Sequence, residues 1–165
     1  MRLSSDARVL VDGRSGSGKS SLARELVALN PAAQLVRLDD IYPGWDGLQA
    51  ASDHVVEFVL SASPRWQRWD WVLGEKAEWH SLDADRPIIV EGCGALSRRA
   101  AERATLRVWV ELDAVQRKAR ALARDGDTYA PHWDRWAAQE EAFIAAENPR
   151  ALADLVIEGN EPFFA

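Results

Sequence analysis

Residues 13–20 read Gly13-Arg14-Ser15-Gly16-Ser17-Gly18-Lys19-Ser20 and fit the pattern G-x-x-x-x-G-K-[ST] at every fixed position. The apolar run Val9-Leu10-Val11 precedes this stretch and predicts a short buried strand. Residues 21–29 follow it with leucines at helical spacing. The pattern has meaning only between a strand and a helix, and both flanks agree here. The stretch therefore predicts a loop that binds phosphate groups.

The chemistry of this loop follows from its residue types. Glycines let the backbone approach an anion, successive N–H groups form an anion nest, and the N-terminus of the next helix adds a positive dipole end. We expect Lys19 to reach the β- and γ-phosphates of ATP and the Ser20 hydroxyl to bind Mg²⁺. The predicted nucleotide contacts in this stretch are Gly13, Arg14, Ser15, Gly16, Ser17, Gly18, Lys19, Ser20 and Ser21.

Composition restricts the class of protein. The 165 residues are 47% hydrophobic and 28% charged, which predicts one globular domain over residues 1–165. The net charge of −6 argues against a general nucleic-acid binder, and no apolar run is long enough for a membrane span. A single cysteine, Cys93, cannot form an internal disulfide, so we expect a cytoplasmic protein and interpret Cys93 as structural. The sequence does not define an oligomeric state.

Strand and helix patterns alternate along the chain. Apolar runs predict strands at 8–11, 34–38, 86–92, 105–112 and 153–157. Helices are predicted at 21–29, at 50–60, after an N-cap at Asp113, and at 132–146. This alternation predicts a three-layer α/β fold, with a parallel five-stranded sheet and helices on both faces.

Carboxylates stand where two of the predicted strands end. Asp39 and Asp40 follow the second strand, and Glu91 ends the third. Because ligands bind beyond the carboxyl ends of parallel strands, these side chains are expected to face the phosphate loop. Glu91 is a candidate for Mg²⁺ binding through water. Either aspartate could instead cap a turn, and the pattern leaves open which of the two is a catalytic base.

Two further groups of residues allow two readings each. Arg117, Arg120 and Arg124 share one face of a predicted helix, which is either a solvated basic face or a face that closes over the nucleotide. The segment 65–73 mixes arginines with tryptophans, which either stack on nucleobases or pack against the sheet edge. His54 and His80 have no partner at metal-ligand spacing, and His54 is expected at the surface.

Five pieces in order resemble the uridine kinase branch of the P-loop kinases, which includes nicotinamide riboside kinases. They are residues 13–20, Asp39-Asp40-Ile41-Tyr42, Trp69-Asp70-Trp71, Val90-Glu91-Gly92, and the run from Arg117 to Asp125. A looser resemblance is to compact tryptophan-rich ATP-binding relatives of this branch. The resemblance implies the P-loop NTPase fold, the sheet order 2-3-1-4-5 and a lid at about 117–135.

The resemblance also implies roles. Asp39 matches the aspartate that accepts the proton of the attacking hydroxyl, and Glu91 matches the carboxylate near Mg²⁺. Arg120 and Arg124 of the lid are expected to contact the nucleotide, and the expected catalytic residues are Lys19, Asp39 and Arg124. The expected acceptor contacts are Asp39, Tyr42, Trp69, Trp71 and Arg117. Trp69-Asp70-Trp71 replaces the Tyr-Asp-Phe of uridine kinases, and no base-reading His follows it, so the acceptor is left unnamed.

The sequence thus predicts an ATP- and Mg²⁺-dependent kinase that phosphorylates a hydroxyl of a nucleoside-like or other small acceptor. The alternative is a nucleotide-dependent ATPase or switch that acts on a protein partner. A binding module without catalysis is the third reading. No Asn-Lys-x-Asp motif for guanine and no hydrophobic-Asp-Glu strand end of motor ATPases is found, which disfavours a GTPase or a motor.

Overall fold

A computed structural model of the chain describes residues 2–160 and contains seven strands and six helices in that range. The strands are β1 (Arg8–Asp12), β2 (Gln34–Arg37), β3 (Arg65–Asp70), β4 (Glu75–Ser81), β5 (Ile88–Glu91), β6 (Leu106–Glu111) and β7 (Leu155–Glu158). The helices are α1 (Lys19–Leu29), α2 (Leu48–His54), α3 (Arg98–Ala101), α4 (Ala114–Asp125), α5 (Trp133–Glu147) and α6 (Pro149–Leu152).

The main sheet has five parallel strands in the order β2-β5-β1-β6-β7. Numbered among themselves, these strands have the order 2-3-1-4-5, so the predicted topology is confirmed. β1 is central, and the chain leaves its carboxyl end directly into the loop at residues 13–18. None of the helices described within residues 2–160 is long and apolar enough to cross a membrane.

Both faces of the sheet are buried. On β1, Val9 and Val11 pack in one core with Leu22 of α1, while Leu10 packs in a second core with Val36 and other buried residues. All of these side chains are almost fully buried. Alternate residues of a strand point to opposite faces, so a continuous apolar run is what a sheet covered on two sides requires. The predicted three-layer arrangement is confirmed.

The predicted helix boundaries have local causes. Asp113 caps α4, because its carboxylate accepts hydrogen bonds from the N–H groups of Val115 and Gln116 at 3.0 Å each. α5 ends before Asn148, which adopts φ of 50° and is followed by Pro149. The helix predicted at 50–60 is α2, which continues through residues 55–59 as a π-helical turn.

The structure of segment 65–73 was not predicted from the sequence. It forms β3 and the start of a turn, and β3 pairs with β4 as an antiparallel hairpin outside the main sheet. Arg68 forms ion pairs with Asp70 and Glu78 on this hairpin, at 3.4 and 2.8 Å. β4 was missed because its residues are mostly exposed and lack an apolar alternation.

His54 is half-buried and anchors this hairpin, although the sequence placed it at the surface. Its Nε2 accepts a hydrogen bond from the Gln67 N–H at 3.2 Å, and its ring stacks on Trp79 at 5.6 Å. Burial, together with the nearby charge of Lys76, lowers the pKa of His54 to about 4. The imidazole is therefore neutral at pH 7 and accepts a hydrogen bond.

This pKa predicts a pH-dependent stability. An unfolded His54 would titrate near 6.5, so the unfolded chain binds more protons between that pH and about 4, and stability falls as the pH falls. We expect acidification from pH 7 to 5 to lower the free energy of unfolding by about 1 kcal/mol more in the natural chain than in His54→Gln, after allowance for partial exposure. Urea unfolding at the two pH values measures the difference. Equal losses of unfolding free energy in both proteins would contradict a lowered pKa of His54 in the folded chain.

Candidate functional site

The loop at residues 13–18 is shaped by close packing of α4. Gly16 has φ of 80°, and a Cβ atom there would lie 2.1 Å from the carbonyl oxygen of Arg117. Only glycine allows both this backbone conformation and this approach. α1 begins at Lys19 after Gly18, whose φ is 105°, so the free N–H groups of the helix N-terminus open onto the loop.

Lys19 is buried at the end of the loop among carboxylates. Burial alone would lower its pKa, but the negative charges of Glu91 and Asp39 outweigh that effect and raise the pKa above its usual value. The ammonium group is therefore held charged although the side chain is buried. This is the environment that a lysine needs to bind the phosphates of a nucleotide.

A chain of polar contacts joins the loop to the ends of β5 and β2. The Ser20 hydroxyl donates to Glu91 Oε1 at 3.0 Å, and Arg37 Nε donates to the same oxygen at 3.3 Å. Arg37 Nη2 then contacts Asp39 Oδ2 at 3.3 Å. Glu91 is almost fully buried, whereas the Asp39 side chain is half-exposed. The predicted metal residues Ser20 and Glu91 are thus in direct contact.

This pair fits a magnesium ion. Mg²⁺ is usually held by one or two protein oxygens together with waters and substrate phosphates, rather than by a complete protein cage. A buried carboxylate beside a loop hydroxyl supplies such ligands. No group of three or more His, Cys, Asp or Glu side chains that could hold a metal occurs within residues 2–160.

Two cavities meet at the loop. One, of about 500 Å³, is called here the arginine-lined cavity. It is lined by Gly16, Gly18, Lys19, Ser20, Ser21, Arg24, Glu25, Arg37, Arg120, Arg124, Gly159 and Asn160. The other, of about 600 Å³, is called the aromatic cavity. It is lined by Ser15, Lys19, Ser20, Asp39, Tyr42, Trp45, Trp71, Cys93, Arg124, Asp125, Thr128, Tyr129 and Trp136. Lys19, Ser20 and Arg124 line both cavities.

The two aspartates after β2 are not equivalent. Asp39 lines the aromatic cavity, whereas Asp40 is not among the described residues that line it. Burial raises the pKa of Asp40 above its usual value. The geometry therefore favours Asp39 as the carboxylate available to a molecule in this cavity.

Aromatic rings pack against each other around the aromatic cavity. Trp45 stacks on Tyr129 at 5.3 Å and on His132 at 4.4 Å, and lies 5.3 Å from Trp71. Tyr42 meets Trp136 edge to face at 4.6 Å. These rings come from the loop after β2, the hairpin, the predicted lid at 117–135 and, for Trp136, the following part of α5, so the cavity wall joins four parts of the chain.

Cys93 lies in this wall but its surroundings do not activate it. Burial raises the pKa of the thiol well above its usual value, and its Sγ donates to Glu140 Oε1 at 3.3 Å. The thiolate form that nucleophilic chemistry needs is therefore disfavoured. This agrees with the structural role expected for Cys93.

Three predicted site residues occupy other positions. Arg117 is buried under the loop, where it donates to the carbonyls of Leu112 and Ser15 at 3.0 and 3.3 Å, and not in the aromatic cavity. The Arg14 side chain pairs with Glu140 at 2.9 Å. Trp69 lines a separate cavity of about 100 Å³ beside the hairpin. Trp69 lies within β3, whereas Trp71 lies in the turn that follows it, so the two tryptophans line different cavities.

Glu140 was missed by the sequence analysis. This buried residue of α5 accepts hydrogen bonds from the Ser15 N–H at 2.6 Å and from Arg14 Nε at 2.9 Å. It lies four residues after Trp136 and three before Phe143, on the buried face of the helix. The sequence does contain a signal for it, which is a carboxylate at helical spacing from Trp136 and Phe143 on the apolar face of the predicted helix.

Asp12 was also missed. It is the last residue of β1, and its carboxylate accepts hydrogen bonds from the N–H groups of Gly13, Gly94 and Leu96 at 2.7, 3.1 and 2.8 Å. Burial raises its pKa to about 6 despite these bonds. The side chain thereby ties the start of the phosphate loop to the turn after β5.

Solved structures resemble the fold of this chain, although neither a protein-family model nor a curated protein matches it. A possible uridine kinase from Bacillus stearothermophilus aligns over 95% of this chain and 91% of its own, with 16% identity and a TM-score of 0.63. The chain has the P-loop kinase fold. A gluconokinase from Sinorhizobium meliloti 1021 aligns over 97% and 86%, with 17% identity and a TM-score of 0.59. Shikimate kinase from Acinetobacter baumannii aligns over 94% and 85%, with 15% identity and a TM-score of 0.53.

The P-loop kinase fold agrees with the resemblance seen in the sequence. The neighbours cover nearly the whole of both chains, and they are named for three different acceptors or acceptor classes. The fold is therefore confirmed, whereas the acceptor has to be argued from the side chains of this chain.

The contact between α5 and the loop gives a test of stability. Glu140→Gln keeps the size of the side chain and removes the buried charge that pairs with Arg14. We expect a loss of about 2–3 kcal/mol in the free energy of unfolding, measured by urea denaturation. Glu141→Gln is the matched control, because that side chain is 70% exposed and lies 3.5 Å from the same arginine. Its effect should stay within ~0.5 kcal/mol, and similar losses in both variants would contradict the role of Glu140.

Proposed function

We propose that the protein is an ATP-dependent kinase that transfers the γ-phosphoryl group to a hydroxyl of a small molecule. One observation carries the proposal: the arginine-lined and aromatic cavities meet at Lys19, Ser20 and Arg124. A phosphoryl group at this junction has a donor on one side and room for an acceptor on the other. The P-loop kinase fold supports the same reaction class.

The donor half is formed by the loop and the arginine-lined cavity. The nest of N–H groups and Lys19 bind the phosphates, and Arg24, Arg37 and Arg120 add positive charge around the same cavity. Ser20 and Glu91 would hold Mg²⁺, which when bound neutralises charge on the β- and γ-phosphates.

The acceptor half is formed by Asp39 and the aromatic rings. The hydroxyl of the acceptor gives its proton to Asp39 as its oxygen bonds to the γ-phosphorus and the bond to the bridging oxygen of ADP breaks. Arg37 contacts Asp39 and Glu91, and it keeps the two carboxylates in fixed positions relative to each other. Phosphoryl transfer depends mainly on such positioning and on charge.

The lid connects the two halves. Arg124 is paired with Asp125, with Nε and Nη2 at 2.9 and 2.6 Å from Oδ2, and it borders both cavities. A rotation of its side chain would place the guanidinium on the transferring phosphoryl group. Tyr129 and His132 of the same segment stack on Trp45 and cover the acceptor side. Exclusion of water from this cavity favours transfer to the acceptor over hydrolysis of ATP.

An ATPase or switch acting on a protein partner has less support. A macromolecular partner does not need a cavity of about 600 Å³ beside the candidate base. We further propose that residues 1–165 act as one cytoplasmic domain with a lid at about 117–135, and that its partners are ATP and a small acceptor rather than nucleic acid or a membrane.

The role of Asp39 is tested by paired substitutions. A screen for acceptor-stimulated ADP formation first supplies an acceptor. Asp39→Asn is then expected to lower kcat by about 10²- to 10⁴-fold with ATP binding unchanged, because the proton acceptor is lost. Asp40→Asn should lower kcat far less, since Asp40 does not line the aromatic cavity. Lys19→Ala is the control that removes ATP binding itself. Undiminished transfer in Asp39→Asn would show that another group is the base.

The metal site is tested by the magnesium dependence of ATP binding. Glu91→Gln should raise the Mg²⁺ concentration needed for half-maximal ATP binding by about 10- to 100-fold, because the buried carboxylate contacts the Ser20 hydroxyl. Calorimetric titration at several Mg²⁺ concentrations measures this shift. Glu25→Gln removes one negative charge from the same cavity and should shift it much less. Equal shifts would mean that Glu91 acts only through general charge.

A further inference from the structure

The guanidinium group of Arg37 bridges the two carboxylates at the ends of β2 and β5. Its Nε donates to Glu91 Oε1 at 3.3 Å, and its Nη2 donates to Asp39 Oδ2 at 3.3 Å. Glu91 Oε1 is also the oxygen that accepts the Ser20 hydroxyl. One positive group therefore contacts both carboxylates, and it does so at the oxygen shared by the proposed pair of metal-binding residues.

The register of the main sheet fixes this contact. β2 and β5 run parallel with Arg37 opposite Glu91, and residues opposite each other on neighbouring strands point to the same face of a sheet. The Glu91 side chain is 3% exposed, whereas that of Arg37 is 44% exposed. The guanidinium group thus reaches the buried carboxylate from the solvent side. The contact is a property of the strand pairing and does not depend on a loop.

The charges at this edge of the sheet balance. Asp39 and Glu91 carry two negative charges. Arg37 and Lys19 carry two positive charges, and each of them interacts with both carboxylates. These four groups offer no net negative charge to a divalent cation that enters alone. A cation that enters with a nucleotide brings phosphate oxygens as ligands, together with their negative charge.

We propose that Arg37 is an internal counter-ion that keeps free divalent cations off Glu91, so that the metal binds only together with a nucleotide. The guanidinium group competes for the Glu91 oxygen and lowers the affinity for a lone cation. Arg37 also lines the arginine-lined cavity, so the phosphates that bring the metal meet a positive group at the same place. This inference rests on the proposed function, because it concerns how the metal of the same site is admitted.

Binding of Mn²⁺ to the natural chain is the first test. Mn²⁺ takes the same oxygen ligands as Mg²⁺, and its unbound fraction is measured by electron paramagnetic resonance. Without a nucleotide, the dissociation constant for Mn²⁺ is expected to exceed about 1 mM, the weak end of the range for protein sites. A non-hydrolysable ATP analogue should lower it about tenfold or more. Nucleotide-free binding tighter than about 1 mM that Glu91→Gln abolishes would overturn the proposal.

Two arginines of the arginine-lined cavity provide matched variants. Arg37 contacts the carboxylates, whereas the exposed Arg24 contacts the Ser21 hydroxyl at 3.3 Å. Arg37→Gln should tighten nucleotide-free Mn²⁺ binding about tenfold or more, because a positive charge leaves the carboxylate pair. Arg24→Gln should change this affinity by less than about threefold, since solvent screens its charge. An unchanged affinity in Arg37→Gln, or equal gains in both variants, would overturn the proposal.

Two further variants test charge and location. Arg37→Lys keeps the positive charge and should leave the nucleotide-free Mn²⁺ affinity as weak as in the natural chain. The double variant Arg37→Gln/Glu91→Gln should lose the gain seen in Arg37→Gln, because the proposed ligand is removed. A gain that persists in the double variant would place the ion away from Glu91 and overturn the proposal.

A parallel assay of ADP formation with a panel of hydroxyl acceptors separates this inference from the proposed function. Tighter nucleotide-free Mn²⁺ binding in Arg37→Gln, without ADP formation by any acceptor, supports the role of Arg37 and contradicts the kinase. ADP formation stimulated by an acceptor, with no tighter Mn²⁺ binding in Arg37→Gln, supports the kinase and overturns the inference. Tighter binding together with acceptor-stimulated ADP formation supports both.

Discussion

The structure depends on a phosphate loop that the surrounding helices hold in shape. Gly16 lies so close to the Arg117 carbonyl that no side chain fits, and Glu140 accepts the N–H of Ser15 from a buried position. Asp12 fixes the start of the loop through three backbone N–H groups. A bare nest of N–H groups is stable only if the chain around it is held from outside. These contacts give the loop its form.

The same helices connect the loop to the aromatic cavity. α5 carries Glu140, which contacts the loop, and Trp136, which lines the aromatic cavity one turn earlier. The segment before α5 places Tyr129 and His132 on Trp45. The loop and the aromatic cavity therefore both depend on how α5 and the segment before it pack. For the proposed kinase, this packing provides a physical basis for coupling nucleotide binding to acceptor binding.

Much of the arrangement could be predicted from the sequence because it depends on local patterns. Continuous apolar runs predicted the strands of the main sheet, and Asp113 predicted the start of α4. The positions of Asp39 and Glu91 followed from the rule that parallel strands end at one edge of a sheet. The hairpin of β3 and β4 was not predicted, since β4 is exposed on both faces and its partner strand lies outside the main sheet. Trp69 and Trp71, which belong to this segment, line different cavities.

By itself, the sequence determined the phosphate loop, the parallel sheet and the carboxylates at its edge, because each depends on neighbouring residues or on strand periodicity. The tertiary structure alone decided which side chains meet across the chain. Glu140 reaches Ser15 over 125 residues, and Arg117 is buried under the loop. Trp45, Trp71 and Trp136 join into one wall. Such contacts depend on how helices and loops pack in space, and no local sequence pattern predicts that packing.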